Sequence, residues 1–539
     1  MSVRVFVPRE TTALSLGADT IARRLERDAA ARHEGITLVR NGSRGLFWLE
    51  PMIEVETPKG RFAYGPVTPS DVPELLDSGM LEGCISHPLA LGPVDEIEYL
   101  ARQQRLTFAR IGITDPLSID DYQVHRGFAG LEVALALTPQ AIVDEVKASG
   151  LRGRGGAAFP TGIKWQTVLD APADQKYIVC NADEGDSGTF ADRLAMECDP
   201  YMLIEGMTIA GLAVGATQGY IYLRSEYPLA KKVLDEAIAR AERAGFLGDD
   251  IRHSGHTFHL EVRLGAGAYI CGEEGALISS CEGLPGEPKT RPPFPVNRGY
   301  LGYPTVVNNV ETFCHAARIL DRGAKWFFDM GEDGSHGTKL FSVSGDCLNP
   351  GIYELPYGLE IRELLEMVGG EDAAAVQVGG PSGTMIARDS FHRRLTFDDL
   401  ATGGAVIVFS SERNVLEIVE YYMSFFVHES CGYCTPCRVG NVFLQKAIGK
   451  FRKGLANPED IEYLKELSAT IIETSRCGLG TTSPNPILTT LQNFPLVYSA
   501  MVKPSKDGIR ATFDIQSAID GARKLAHRRS YIYDRDFSK

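Results

Sequence analysis

The chain has 539 residues, room for three or four domains at the usual ~100–200 residues each. Hydrophobic residues make up 44% and charged residues 23%, the balance of an ordinary globular protein and not of a disordered one. Lys+Arg 55 against Asp+Glu 70 leaves a net charge of −15, which argues against nucleic acid or an anionic membrane as the main partner, because both reward basic surfaces.

Residues 1–120 read as a small α/β unit. Val3–Val7 alternates as a strand, Ala18–Ala31 is helical with Ile21, Leu25 and Ala29 on one stripe, and Gly35–Val39 and Ile53–Thr57 read as strands. Phe62–Tyr64 is placed to pair with the last of these across Pro58-Lys59-Gly60. Pro73–Ser78 opens a short helix, and the Pro/Gly-spaced segment 85–120 reads as a connector. The start of the chain, Met1 to Glu10, lacks a signal-peptide layout, and Met207–Leu223 is too polar and Gly-rich to span a membrane. The expectation is a cytoplasmic protein.

From 121 onward strands at Tyr177–Cys180, Gly219–Leu223 and His259–Arg263 alternate with helices at Tyr201–Val214 and Pro228–Ala244, a pattern that predicts a helix-covered sheet. Residues 336–412 form a third unit, with strands at Lys339–Val343, Ala375–Val378 and Ala405–Phe409 and one helix near Glu360–Val368. Beyond 413 the pattern is helical, ending in a charged tail.

Four segments of the second unit carry candidate chemistry. In Leu151–Trp165, Gly153, Gly155, Gly156 and Gly162 let backbone N–H groups approach an anion, Lys164 adds a cation, and Phe159 and Trp165 offer flat apolar surface. The spacing is neither of the common dinucleotide or phosphate-loop fingerprints, and a plain turn is the competing reading. Cys180–Phe190 follows a strand and supplies Asn181, Asp183, Glu184 and Asp186 as acceptors for sugar hydroxyls or ring N–H groups; an acidic surface loop is the alternative. Gly265–Leu277 brings more glycines and the pair Glu273 and Glu274, suited to acid–base work or to binding a polyol. Asn308-Asn309-Val-Glu-Thr312 is the fourth.

The fifth constellation is Cys431-Gly-Tyr-Cys-Thr-Pro-Cys437 with Cys477 far along the chain. A C-x2-C-x2-C triplet with one remote cysteine suits a [4Fe–4S] cluster, whereas structural zinc usually takes two separated pairs. Arg438 and Arg476 adjoin these cysteines and would offset negative charge. His253, His256 and His259 have a metal-like spacing, but His259 lies in an alternating strand that would not converge the three rings.

Together these motifs, over residues 121–520, resemble the NADH-binding, FMN- and [4Fe–4S]-containing flavoprotein subunits of respiratory complex I, bidirectional [NiFe]-hydrogenase and NAD-dependent molybdenum formate dehydrogenase. The resemblance implies a multidomain α/β chain. Its parts are a thioredoxin-like domain in 1–120, a Rossmann-like FMN and NADH domain in 121–335, a ubiquitin-like (SLBB) insert in 336–412, a four-helix cluster domain in 413–520 and a tail in 521–539. It assigns Gly153, Gly155, Lys164, Asn181, Asp183, Asn308, Asn309 and Thr312 to FMN, with Gly272 and Glu273 lining its pocket. Gly156, Phe159, Asp186, Tyr269, Glu274 and Phe294 would receive NADH, and Cys431, Cys434, Cys437 and Cys477 the cluster. No side chain acts as a catalytic acid or base, since hydride transfer is carried by FMN.

The sequence departs from the family at Ala158, where Gly is usual, at Asp186, where Glu is usual, and at Thr167, where an aromatic residue is often found. The N-terminal unit resembles a thioredoxin-like [2Fe–2S] domain without cluster ligands, since no cysteine precedes Cys84. That fusion points to the formate dehydrogenase or hydrogenase type, and the loss of its cluster ligands favours formate dehydrogenase, with a small [2Fe–2S] thioredoxin-like subunit and a large molybdenum-containing iron–sulfur subunit as partners. The diaphorase of [NiFe]-hydrogenase and the flavoprotein of complex I are the alternatives. A non-catalytic nucleotide-binding zinc protein is the reading from a different class.

Overall fold

The computed structural model describes residues 2–332, 334–503 and 515–527. The first sheet contains β1 (Val3–Phe6), β2 (Ile36–Val39), β3 (Ile53–Thr57), β4 (Gly60–Tyr64) and β5 (Ala90–Pro93), in the order β2-β1-β3-β4-β5. β1 and β2 run parallel and are bridged by the helix Ala18–Ala31, whose Ile21, Leu25 and Ala29 are fully buried against the sheet. β3 and β4 form the expected hairpin, closed by Thr57 opposite Gly60, whose φ of +111° favours glycine. The segment 85–120 is more than a connector. Ala90–Pro93 adds the fifth strand beside β4, because Gly92 and Pro93 there extend a sheet edge, where a missing N–H is tolerated.

The second sheet is all parallel: β6 (Tyr177–Ala182), β7 (Gln218–Leu223), β8 (His259–Leu264) and β9 (Thr305–Asn309), in the order β8-β7-β6-β9. The helix Pro200–Val214 is buried on every face, which explains its mostly apolar character, and its one carboxylate, Glu205, is satisfied by Tyr122 Oη, Phe128 N and Leu131 N. It ends at Gly215, left-handed at φ +75°, so the apolar run Met207–Leu223 divides into a core helix and a core strand. Its Gly206 meets the helix Val310–Arg322 so closely that a Cβ would lie 2.0 Å from the Phe313 carbonyl oxygen. Among the described residues no helix is long and apolar enough to cross a membrane.

The third sheet is mixed, with strands Thr338–Gly345, Gly351–Pro356, Ala375–Val378, Thr384–Ala387 and Ala405–Phe409 packed on the helix Ile361–Val368. Its Leu340 and Ile352 belong to the core of the second sheet, so the two units share packing. A helical region follows, built on Val415–Glu429, Thr435–Arg452, Pro458–Thr474 and Asn485–Asn493, with the short helices Gly478–Thr482 and Pro495–Ser499 beside them. The edges placed at 120 and 520 fall inside the helices Ile119–Val124 and Ile515–Ala526. Residues 528–539 of the charged tail lie outside the described residues.

Candidate functional site: a cavity at the sheet switch point beside four cysteines

In the parallel sheet β7 lies on one side of β6 and β9 on the other. The strand order therefore reverses at β6, with successive connections leading to opposite sides of it, and a crevice opens at the C-terminal ends of β6 and β9, where α/β sheets bind ligands. Asn181 and Asn309 are register partners at these ends. Asn181 Nδ2 donates to the Gly272 carbonyl at 2.8 Å, and Asn309 Oδ1 caps the next helix by accepting from Thr312 N at 3.1 Å. A cavity of about 500 Å³ occupies the crevice, within the usual size for a cofactor site. Gly155, Gly156, Asn181, Asp183, Asp186, Tyr269, Gly272, Glu273 and Asn309 all line it, which brings together nine of the sequence-derived candidates.

The loop after β6 is held in a strained shape. Glu184 adopts φ +32°, a left-handed conformation that costs a non-glycine residue roughly 1–2 kcal/mol. Its carboxylate offsets this by accepting from Asp192 N at 2.7 Å, Arg193 N at 3.0 Å and Tyr227 Oη at 2.9 Å. The helix Ala191–Cys198 is thereby capped with a negative charge at its positive end. Arg224 donates to the Glu184 carbonyl and ties the same loop to the end of β7.

Asp183 and Asp186 face the cavity with oxygens, Oδ2 and Oδ1 respectively, that are buried without a hydrogen-bond partner. Burial pushes the Asp183 carboxyl up to about 7, against the pull of Arg224, and the Asp186 carboxyl up to about 8. Buried acceptors of this kind are costly unless a ligand satisfies them. Hydroxyls of a ribityl or ribose chain and ring N–H groups supply the matching donors, so the cavity fits a flavin or a dinucleotide.

The remaining FMN and NADH candidates are not among the residues lining this cavity. Lys164 Nζ donates to the Val307 carbonyl at 2.7 Å and pairs with Glu274 at 3.5 Å. Glu274 also meets Arg291 at 3.1 Å, while Glu273 caps the helix Glu274–Cys281 by accepting from Ala276 N at 2.8 Å. Phe159 and Phe294 are about half exposed and present their rings to solvent. Asn308 and Thr312 are buried behind the wall: Asn308 Oδ1 accepts from Trp165 Nε1 at 3.1 Å, and Thr312 Oγ1 accepts from Arg154 N at 2.9 Å, fixing the glycine loop. Gly153 N donates to the Phe159 carbonyl at 2.9 Å and closes that loop.

Part of the wall comes from residues that the sequence reading passed over. Gly379, Ser382, Gly383, Thr402 and Gly403 reach in from the third sheet, and Gly478, Leu479 and Thr482 from the helical region. Two glycine-rich turns, Gly379-Gly-Pro-Ser-Gly383 and Thr402-Gly-Gly404, were the available signal. Gly380 must be glycine, since a Cβ there would lie 2.2 Å from Asp186 Oδ2 and its φ is +62°.

The four cysteines come together on one apolar patch with Ile270, Leu277 and Phe426. Cys434 caps the helix Thr435–Arg452, Cys437 lies in its first turn, and Cys477 caps the short helix Gly478–Thr482. Two helix N-termini thus face the thiols, a placement that favours thiolates. Burial, with the neighbouring cysteines adding to it, pushes the Cys437 thiol up to about 11, so the set needs a cationic centre to hold its sulfurs deprotonated. Cys437 Sγ lies 3.2 Å from Ser430 Oγ and accepts from Asn441 Nδ2 at 3.4 Å. Among the described residues no three His, Cys, Asp or Glu stand at the spacing for a single metal ion. A cubane spreads its ligands over separate irons, and the all-thiol donor set fits one. Arg438 donates to the Gly432 carbonyl at 2.5 Å, and Arg476 stacks on the Tyr433 ring at 4.1 Å. His253 is almost fully exposed, and His259 Nε2 meets Asp249 at 3.0 Å.

Comparison with known proteins agrees with this geometry. The Nuo51 FMN-binding domain model matches residues 146–318, and the NADH-ubiquinone oxidoreductase-F iron-sulfur binding region matches 417–501. The alpha subunit of the NAD-reducing hydrogenase HoxS of Cupriavidus necator is 41% identical over 520 residues, 92% of this chain and 84% of the relative. The chain belongs to the Nuo51 flavoprotein family. Another Nuo51 relative, the NADP-reducing hydrogenase subunit HndC of Solidesulfovibrio fructosivorans, is 45% identical over 75% of this chain and 85% of its own length. An NADH-quinone oxidoreductase subunit of Aquifex aeolicus is 43% identical over 70% and 90%. The crystal structure of an NAD+-reducing [NiFe]-hydrogenase in the H2-reduced state superposes with a TM-score of 0.69 at 32% identity, covering 100% of this chain and 90% of the other. As a Nuo51 flavoprotein the chain is a diaphorase-type subunit of an NAD(H)-dependent oxidoreductase, and its cofactors are FMN, a [4Fe–4S] cluster and NAD(H).

Proposed function

We propose that the switch-point cavity holds FMN and receives NAD(H), and that Cys431, Cys434, Cys437 and Cys477 hold the [4Fe–4S] cluster. The observation that carries this reading is the helix Gly478–Thr482: Cys477 caps it, and its Gly478, Leu479 and Thr482 line the cavity. One short element therefore joins the two cofactor sites. When bound, FMN exchanges a hydride with NADH as an electron pair and exchanges electrons singly with an iron–sulfur centre. The protein supplies position and field. Gly155 and Gly156 leave the loop backbone open to an anionic group, Lys164 adds a cation held by the Val307 carbonyl of β9, and Asp183 and Asp186 orient donors on the ligand. Tyr269, fixed by Ser382 at 3.1 Å and by Glu429 on its backbone N–H at 2.9 Å, forms the wall between the sites.

We further propose that the chain works in an NAD+-dependent molybdenum formate dehydrogenase, with a small [2Fe–2S] thioredoxin-like subunit and a large molybdenum iron–sulfur subunit as partners. Its N-terminal region supports this assignment, because no cysteine precedes Cys84 and a cluster of its own has no ligands there. The names of two relatives, both hydrogenase subunits, together with the [NiFe]-hydrogenase structure that superposes, favour [NiFe]-hydrogenase as the second reading. The complex purified from its source decides between them. Molybdenum with formate-driven NAD+ reduction supports the first, and nickel with hydrogen-driven reduction replaces it by the second. A colourless chain without flavin bands would overturn both.

A further inference from the structure

The cluster-free N-terminal region contacts the cavity's acidic loop through one buried charge network. The helix Ala191–Cys198 starts at the cavity, where Asp192 lines the wall, and its other end packs on residues 10–12 and 42. Arg193 joins the two ends. Its backbone N–H donates to Glu184 at 3.0 Å, whereas its guanidinium donates to Glu10 at 3.1 Å, to Glu197 at 3.3 Å and to Thr12 Oγ1 at 3.0 Å. Glu197 in turn accepts from Thr11 N at 2.8 Å and Thr11 Oγ1 at 2.7 Å. Glu10 and Glu197 are essentially fully buried, and Arg193 is nearly so. The approach is close enough that a Cβ on Gly42 would fall 2.5 Å from Cys198 Cβ.

We propose that Arg193 is a positioning residue for the flavin and dinucleotide cavity, held in place by Glu10 and Thr12 of the N-terminal region. A buried arginine between two carboxylates has few alternative rotamers, since leaving either one unpaired is strongly unfavourable. Its fixed side chain fixes its own N–H, and that N–H fixes the Glu184 carboxylate. Glu184 sets the left-handed turn between Asp183 and Asp186, the two residues with unpaired oxygens in the cavity. The N-terminal region thus acts on cofactor binding without touching a cofactor. This rests on the reading that the cavity holds FMN and NAD(H).

The test uses the full chain in its native complex, with Glu10→Gln, Thr12→Val and the cavity-lining control Asn309→Ala. FMN release is followed by flavin fluorescence, NADH KM and kcat with an artificial acceptor, and folding by thermal melting. Glu10→Gln and Thr12→Val are expected to speed FMN release and raise KM about three- to tenfold, the range for residues acting through another, with a smaller change in kcat. Thr12→Val keeps every buried charge paired, so it remains informative if Glu10→Gln folds poorly. Unchanged FMN release and KM in Thr12→Val, with Asn309→Ala weakening both, would overturn the positioning role alone. Unchanged values in Asn309→Ala would overturn the cavity assignment itself.

Discussion

Thr482 Oγ1 donates to Ser382 Oγ at 3.1 Å, across the seam between the helical region and the third sheet. Ser382 also meets Tyr269 Oη at 3.1 Å, and its carbonyl accepts from Asn485 Nδ2 at 2.6 Å. Three regions of the chain are thus pinned at one serine on the cavity wall.

Ser382→Ala removes the shared hydroxyl and leaves Tyr269 Oη and Thr482 Oγ1 without this partner. A typical neutral hydrogen bond contributes ~1 kcal/mol. We expect the melting temperature to fall by a few degrees and NADH KM to rise, with flavin content retained. Calorimetry alongside steady-state titration checks both; an unchanged KM would confine the serine to a stability role.

Cys431→Ser should abolish the broad iron–sulfur absorption and the reduced-cluster EPR signal while flavin remains bound. None of the residues 431–437 lines the cavity, so the flavin wall is untouched. A cluster signal surviving in the variant would remove Cys431 from the ligand set.

Glu274 bridges Lys164 and Arg291 from the first turn of the helix that Glu273 caps. Glu274→Gln keeps an acceptor but loses the charge. NADH binding is expected to weaken about tenfold, equivalent to ~1.4 kcal/mol, at full flavin occupancy. Titration with an artificial acceptor measures it, and a wild-type KM would dissociate Glu274 from the dinucleotide.

Asp186 gives the flavin-free protein a pH dependence. Its carboxyl is raised by burial from an ordinary 3.8 to about 8. Between those values the folded state keeps a proton that the unfolded chain has released. The stabilising contribution is therefore complete below about 4 and is lost as pH rises through about 8. Asp186→Asn cannot titrate, so its melting temperature should decline less between about pH 5 and pH 8 than that of the wild type. Parallel slopes would show that Asp186 is ionised throughout.

Ala158 stands at φ +54°, where the resembling family usually has glycine. The left-handed conformation costs alanine roughly 1–2 kcal/mol, and the extra freedom of glycine in the unfolded chain costs ~0.5–1 kcal/mol. Ala158→Gly should therefore be stabilising by about 0.5 kcal/mol. Urea denaturation checks the sign; a destabilised variant would mean that the Arg152 Nε bond to the Ala158 carbonyl, 2.8 Å, depends on the stiffer residue.

Local patterns made much of the fold legible. The helix Ala18–Ala31 and the hairpin across Pro58-Lys59-Gly60 follow from an apolar stripe and a turn, signals contained in a few neighbouring residues. Gly351–Pro356 and Thr384–Ala387 were not legible, because each is a short strand defined by its pairing and not by alternation. At the site, Asn181 and Asn309 were found as motif residues, but their adjacency is a property of parallel register across more than a hundred residues. Ser382 and Thr482 escaped notice for a similar reason: a hydroxyl acquires meaning there only from what docks against it. Asn308 and Thr312 were found in the fourth motif, but they spend polar atoms on Trp165 and Arg154 of the glycine-loop segment, a role that only the folded chain reveals.

The distribution of the cavity wall over the second sheet, the third sheet and the helix Gly478–Thr482 limits how the protein can be cut. A fragment ending near 335 would retain Asn181, Asp183 and Asn309 yet lose Gly379, Ser382, Thr402 and Leu479, leaving the crevice open to solvent on one side. A portable unit for grafting this redox site onto another electron-transfer protein must therefore reach through Asn485, and it must begin before the glycine loop, because Phe108, Phe128 and Val146 share the core of Trp165 and β6.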